Sequence, residues 1–157
     1  MIAINNYRQF ISELVAAASQ QSGVSVDHVR LAVTETQLTV LLKDLPGTVV
    51  CGNVPGTDLQ YPAGYWLSSG QCILYVLEKM PRDRQNTEQE FQDYARLQQL
   101  AAHIVRLLTG EDFQQFCDQG ELDRSQQLSI EWEYNTLGGF NGLSIGFRLK
   151  DSNGLSL

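Results

Sequence analysis

The side chains best suited to nucleophilic chemistry are three cysteines and two histidines. A cysteine nucleophile needs a nearby base that forms its thiolate. Cys51 and Cys72 lie in the apolar runs VVCG and QCILYV, a setting typical of buried, unreactive thiols. No local signature joins either cysteine to His28 or His103. A small cysteine-dependent hydrolase is therefore the least favoured function.

Other kinds of site are predicted to be absent. Neither histidine has another histidine or a cysteine within one helical turn, so the spacing indicates no metal site. The segment GNVPG at 52–56 is not followed by the Lys-Ser/Thr of a phosphate loop. We predict neither a metal nor an organic cofactor.

Glu131 and Glu133 are the one carboxylate pair with a suggestive spacing. On a strand their Cα atoms would be about 7 Å apart, twice the rise per residue, a separation found in some glycosidase pairs. Acidic residues that alternate with apolar ones on a strand are more often its solvated face. The sequence therefore predicts no catalytic residue.

The strongest pattern that positions these residues spans 127–150, QLSIEWEYNTLGGFNGLSIGFRLK. Two runs alternate apolar and polar residues, and a glycine-rich turn joins them, which predicts an antiparallel β-hairpin with one dry face. On its wet face, Glu131 and Glu133 are expected to pair across the strands with Arg148 and Lys150. The predicted dry face comprises Leu128, Ile130, Trp132, Tyr134, Leu143, Ile145, Phe147 and Leu149.

Further elements follow from apolar spacing. Residues 6–21 read as an amphipathic helix capped by Asn6 and ended by Gly23. Alternation over 29–43 predicts a second hairpin, and 71–80 predicts a central strand. A long helix begins at Thr87, and its apolar residues exceed one stripe, so we expect it to contact the sheet and also another helix or a second subunit.

Together these elements predict an α+β fold. We expect a mainly antiparallel sheet of about five to six strands, two main helices packed on it and a C-terminal β-hairpin. The 157 residues are enough for one domain with its own core, with 152–157 as a flexible tail.

Composition and charge limit the classes of partner that the chain is expected to bind. A formal net charge of −7 disfavours binding to a nucleic-acid backbone or an anionic membrane. No apolar run is long enough for a membrane span, and the amino-terminal residues lack a signal-peptide pattern. The cysteine usage suggests a reducing, intracellular setting. Protein partners remain the expected class.

Two groups of apolar residues are candidates for partner binding. Tyr61, Tyr65 and Trp66 lie in the irregular segment 52–70. Covering a core edge is the favoured interpretation of these aromatics, and a partner-binding arm is the alternative. Leu137 and Phe140, at the hairpin tip, indicate burial against the protein's own body or against a neighbour.

The order of elements resembles that of the small neck and tail-completion proteins of tailed bacteriophages, in particular the tail-terminator type. The stretch from Glu131 through Gly139-Phe140-Asn141-Gly142 to Asp151 is similar to the ending of short phage-encoded proteins. The resemblance implies a ring-forming protein that acts by contact, without a cofactor, in the virion or the host cytoplasm. It also implies that the aromatic segment and the hairpin tip are its contact surfaces.

The sequence therefore leaves three functions open. The first is a non-enzymatic structural or assembly protein, as a homo-oligomer. The alternative is a monomeric module that binds a small ligand or a protein, with a closed apolar pocket beside Tyr61 to Trp66. The cysteine-dependent hydrolase is the third.

Overall fold

The structure is a computed structural model that describes residues 2–62, 64–80, 87–111, 113 and 120–151. The expected tail at 152–157 and Cys117 lie outside the described residues. The described part forms one sheet of seven strands and three helices, which confirms the predicted α+β fold, its mostly antiparallel sheet and its C-terminal hairpin. The elements are α1 (Ile4–Ser22), β1 (His28–Ala32), α2 (Glu35–Leu42), β2 (Thr48–Asn53), β3 (Asp58–Gln60), β4 (Leu67–Lys79), α3 (Thr87–Thr109), β5 (Glu121–Leu122), β6 (Ser129–Thr136) and β7 (Phe140–Asp151).

The sheet has an order of β1-β2-β4-β7, and both β5 and β6 lie on the far side of β7. Only the β1–β2 pair is parallel among the described strands, because α2 carries the chain back between them. The short strand β3 pairs with the beginning of β4. Within the described part, β1 therefore forms one edge of the sheet and β6, with β5, forms the other.

The main core lies between the sheet and the helices α1 and α3. The long helix α3 contacts both α1 and β7, so another helix accounts for part of its extra apolar residues. Gly23 ends α1 in the left-handed conformation, as predicted, and its N–H bonds to the Ser19 carbonyl. The predicted Asn6 cap is wrong, because α1 begins at Ile4 and Gln9 bonds to Glu13.

The predicted second hairpin over 29–43 is also wrong, because its second half is the helix α2. Thr34 caps this helix, and its hydroxyl accepts from the Gln37 N–H. Leu38 and Leu42, four residues apart, are buried on the inner side of α2. Leucines at this spacing fit a helix as well as a strand, and capping and burial decide in favour of the helix.

A second core lies on the opposite face of the sheet. Alternate residues of β2 separate the two cores, since Val50 faces the main core while Val49 and Cys51 face the second. The helix α2 and the β6–β7 turn cover this second face, and Leu137 and Phe140 are buried there. The predicted central strand is confirmed as β4, which has β2 and β7 as neighbours.

Two other local features differ from the prediction. The segment 52–70 is not wholly irregular, because β2 continues to Asn53, β3 spans Asp58–Gln60 and β4 begins at Leu67. The expected cross-strand ion pairs do not form. Arg148 pairs with Asp58, and the Lys150 ammonium lies 3.3 Å from a Glu121 carboxylate oxygen. The reason is the register of the strands. Ser129, the first residue of β6, lies opposite Gly146, so Arg148 and Lys150 lie beyond the part of β7 that pairs with β6.

Candidate functional site

The most exposed apolar side chains of the sheet lie on its edge strand β6. Ile130, Trp132 and Tyr134 are 49%, 60% and 75% exposed. Beside them Phe91, from the first turns of α3, is 67% exposed. These four residues, with the half-buried Tyr94, are called the edge surface below. The predicted dry face is therefore wrong for β6.

The edge surface arises because the helices do not reach across the whole sheet. Ile130 and Trp132 lie opposite Ile145 and Leu143 of β7, which are buried in the main core. Side chains directly opposite each other in an antiparallel pair share a face. The β6 residues thus point to the helix side of the sheet. The helices α1 and α3 cover β7 but do not extend over β6, the next strand.

Tyr94 marks the limit of that cover. Its ring meets the Trp132 ring edge to face at a centroid distance of 5.4 Å, and its hydroxyl donates to the Glu133 carbonyl at 2.8 Å. Burial, followed by the charge of Glu90, raises the pKa of this phenol. The hydroxyl therefore stays protonated at neutral pH and holds α3 against the edge strand.

An open groove of about 450 Å³ runs between α3 and β6. Its lining is mainly apolar, which suits a partner's side chains better than it suits a reaction on a polar substrate. The groove is lined by Phe91, Tyr94, Ala95, Gln98 and Trp132.

The opposite face of β6 is acidic. Glu131 is exposed, and the Glu133 carboxylate accepts from the Ser144 hydroxyl at 2.7 Å. The edge strand therefore presents aromatic side chains on the helix side and carboxylates on the other.

A second exposed apolar region lies at the other edge of the sheet, beside β1. A groove of about 470 Å³ there is bordered by α1, the end of β1 and α2. Val33 and Val40 are 66% and 70% exposed, and Ile4 and Leu41 also reach the surface. Sequence reasoning assigned this segment to a hairpin and missed the groove.

The aromatic residues predicted at 61–66 are on the surface. Tyr61, Tyr65 and Trp66 are each at least half exposed, and the Tyr61 and Trp66 rings lie 5.1 Å apart. None of the three belongs to either of the two cores. They precede the part of β4 that pairs with the end of β7 at 150–151, whereas β6 pairs with the beginning of β7.

Leu137 and Phe140, also predicted as contact residues, are buried in the chain's own second core at 7% and 1% exposure. Of the two interpretations of the hairpin tip, the structure supports burial against the protein's own body. These two residues are therefore removed from the candidate contact surface.

Burial of both described cysteines argues against a cysteine-dependent hydrolase. Cys51 and Cys72 are fully buried, and burial raises the pKa of the Cys51 thiol from 9.0 to about 12. A buried, protonated thiol is a poor nucleophile at neutral pH.

Two other features are absent from the described residues, a metal-binding cluster and a membrane-spanning helix. Among the described residues, no three histidine, cysteine or acidic side chains are grouped so that they could hold a metal ion. No helix in the described part is long and apolar enough to cross a membrane. No protein-family model matches the chain, and no curated protein is significantly similar to it.

Sequence reasoning placed Ile130, Trp132 and Tyr134 in the core and did not single out Phe91. The residue types carried a partial signal, because large aromatics dominate the energetic centres of interfaces. The alternation gave no sign that these residues are exposed, since a strand at the edge of a sheet and a strand in its middle can share the same pattern.

Proposed function

We propose that this chain is a non-enzymatic structural protein that acts through contacts with other protein chains and with copies of itself. The proposal includes the role of the phage neck and tail-completion proteins, whose order of elements this chain resembles. The observation that carries the proposal is the edge surface, where four aromatic residues and an isoleucine lie together at one edge of the described sheet.

The exposed aromatics and the edge strand both favour binding to another protein chain. A cluster of exposed aromatics is costly to keep in water, and such patches on stable proteins commonly mark interaction sites. An edge strand also presents backbone groups that another chain can pair with. Partner binding would remove both from water at once.

The experiment is a measurement of native mass by light scattering over a range of concentrations. We expect the wild-type chain to self-associate and the Trp132→Ser variant to dissociate at concentrations about tenfold higher or more, because an interface aromatic is lost. Thermal unfolding of both proteins checks that the fold is retained.

Trp66→Ser is the matched control, because Trp66 is also about half exposed but lies in the 61–66 aromatic segment. It should associate like the wild type. Weakened association in the Trp66→Ser variant alone would move the contact surface to that segment. A wild-type chain that remains a monomer at every concentration would contradict self-association.

A ligand-binding module is the second candidate, because both open grooves, at about 450 and 470 Å³, have the size of small-molecule sites. Neither groove is lined by Tyr61, Tyr65 or Trp66, where the sequence predicted a closed pocket. Titration of the monomer with an environment-sensitive apolar dye tests this function. We expect competition between dye binding and self-association if the groove is an interface, and dye binding without self-association if it is a ligand site.

A further inference from the structure

We propose that the β6 edge of one copy binds the β1 edge of a second copy, so that the sheet continues head to tail from one subunit to the next. The inference rests on the self-association in the proposed function and names the two surfaces that meet. It is carried by the backbone groups, the strand directions and the side chains of the two edges.

Both edges present backbone groups that face away from the sheet. On β1 the Ala32 carbonyl accepts from the Val54 N–H on the β2 side, whereas the Val29 carbonyl accepts from the Arg30 guanidinium. Because backbone groups alternate in direction along a strand, those of Val29 and Leu31 face outward.

The outer edge of β6 also has backbone groups that face away from the sheet. The Glu133 carbonyl accepts from the Tyr94 hydroxyl, so it faces away from β7. Two residues earlier, Glu131 has the same orientation, because the irregularity in the ladder lies beyond Glu133. The Val29 and Glu133 carbonyls already accept from side chains, so the N–H and C=O groups of Leu31 and Glu131 are the ones that the two edges offer to another strand.

The strand directions allow the two edges to pair. β1 is parallel to β2, β2 is antiparallel to β4, β4 to β7, and β7 to β6. β6 therefore runs opposite to β1. A second copy placed beside the first in the same orientation brings its β1 antiparallel to β6 and keeps the helices of both copies on one side.

In that arrangement the apolar sides match. Val29 pairs in register with the core residue Val50, and both Val29 and Leu31 pack against the main core on the helix side. They would lie beside Ile130 and Trp132, which share that side on β6. Leu31 also lines the open groove beside β1, which can receive the indole.

The charged sides match as well. His28 and Arg30 of β1 are in register with Val49 and Cys51, which face the second core. Glu131 and Glu133 of β6 face the same side, opposite Ser144 and Gly142. Pairing β1 with β6 thus brings a basic side chain to acidic ones across the new strand boundary.

Pairing of identical edges is disfavoured by the same charges. Two β6 strands would bring four carboxylates together, and two β1 strands would bring together two copies of Arg30. Opposite edges therefore bind each other, and the contact is heterologous. Such contacts form a closed ring or an open fibre, depending on the rotation from one subunit to the next.

Charge reversal tests this interface. Arg30→Glu and Glu131→Arg should each raise the dissociation constant by about tenfold or more, because like charges then meet at every contact. An equimolar mixture of the two variants should associate again, since each edge of one variant then meets an opposite charge on the other. The double variant R30E/E131R should also regain association in a single chain.

Arg106→Glu is the control, because it changes the net charge as Arg30→Glu does but at an exposed position on α3. It should leave the dissociation constant within about twofold of the wild type, as expected for a charge far from an interface. Backbone amide exchange gives an independent readout, in which the Val29, Leu31 and Glu131 amides gain protection as concentration rises.

The outcomes separate the two proposals. A wild-type oligomer that is unaffected by either charge reversal, or whose β1 and β6 amides gain no protection, overturns the β1–β6 interface and leaves the assembly role standing. A wild-type chain that is monomeric throughout overturns the interface together with the self-association on which it rests. Weakening by each single reversal, with recovery in the mixture, supports the interface.

Discussion

Gly142 illustrates how a single residue holds the sheet together. It lies in β7 with a φ of +155°, opposite Leu77 of β4 and Glu133 of β6. A Cβ atom at this position would lie 2.0 Å from the Val76 carbonyl oxygen. Because that oxygen belongs to the backbone of a central strand, the sheet cannot yield locally to make room.

We expect Gly142→Ala to lower the free energy of unfolding by about 2 to 4 kcal/mol, since the methyl group forces β4 and β7 apart. Denaturant unfolding measures this loss. Gly56→Ala is the matched control, because a Cβ atom there meets nothing within 4 Å. A Gly142→Ala protein as stable as this control would contradict the close approach.

At the scale of residues, the sequence predicts β7 better than β6. Leu143, Ile145 and Phe147 alternate with small or polar residues and are buried as expected. Ile130 and Trp132 follow the same alternation and are exposed. Alternation reports which side chains share a face, but it cannot report how far the helices extend over that face.

At the scale of elements, α2 determines how the second core is closed. This helix has only eight residues, and an isolated helix of that length is unstable in water. Its cap at Thr34 and the burial of Leu38 and Leu42 therefore hold it in place. The β6–β7 turn packs nearby, where a Cβ atom on Gly138 would lie 3.6 Å from the Thr39 methyl group.

We expect Thr34→Ala to destabilise the protein by about 1 kcal/mol, because the Gln37 N–H loses its acceptor. Thr36→Ala, an exposed change in the first turn of the same helix, is the control and should have a smaller effect. Thermal unfolding of the two variants side by side measures the difference. Equal melting temperatures would show that the cap contributes nothing.

The sequence predicted the long helices and missed the short one for a physical reason. α1 and α3 span 19 and 23 residues, enough for several repeats of an apolar stripe. α2 spans two turns, over which a period of two and a period of 3.6 cannot be distinguished. Its capping pair, Thr34 and Gln37, was the local signal that could have identified it.

At the scale of the whole molecule, one buried thiol and two partly buried phenols make the stability of the fold depend on alkaline pH. Burial raises the pKa of Cys51 to about 12, and burial followed by nearby carboxylates raises the pKa values of Tyr75 and Tyr94. Above pH 9 the unfolded chain releases protons that the folded protein keeps. These groups therefore leave the free energy of unfolding unchanged below pH 9. They lower it as the pH rises toward 12.

We expect the free energy of unfolding to fall above about pH 9, with Cys51 contributing a slope of at most about 1.4 kcal/mol per pH unit. Urea unfolding at several alkaline pH values measures the slope. The Cys51→Ala variant should show a shallower slope even if its stability at neutral pH is lower. Identical slopes would mean that the thiol ionises equally in the folded and unfolded protein.

The position of β7 within the sheet has a consequence for biosynthesis. β7 pairs with β4 over twelve residues and also carries β5 and β6, yet Phe147 lies 75 residues after its partner Cys72 in the chain. While the ribosome is still translating α3, one side of β4 has no partner strand, and apolar residues such as Leu74 and Val76 lack their cover. Pairing over such a distance is slow, so the nascent chain passes through an aggregation-prone interval in which chaperone binding would be most useful.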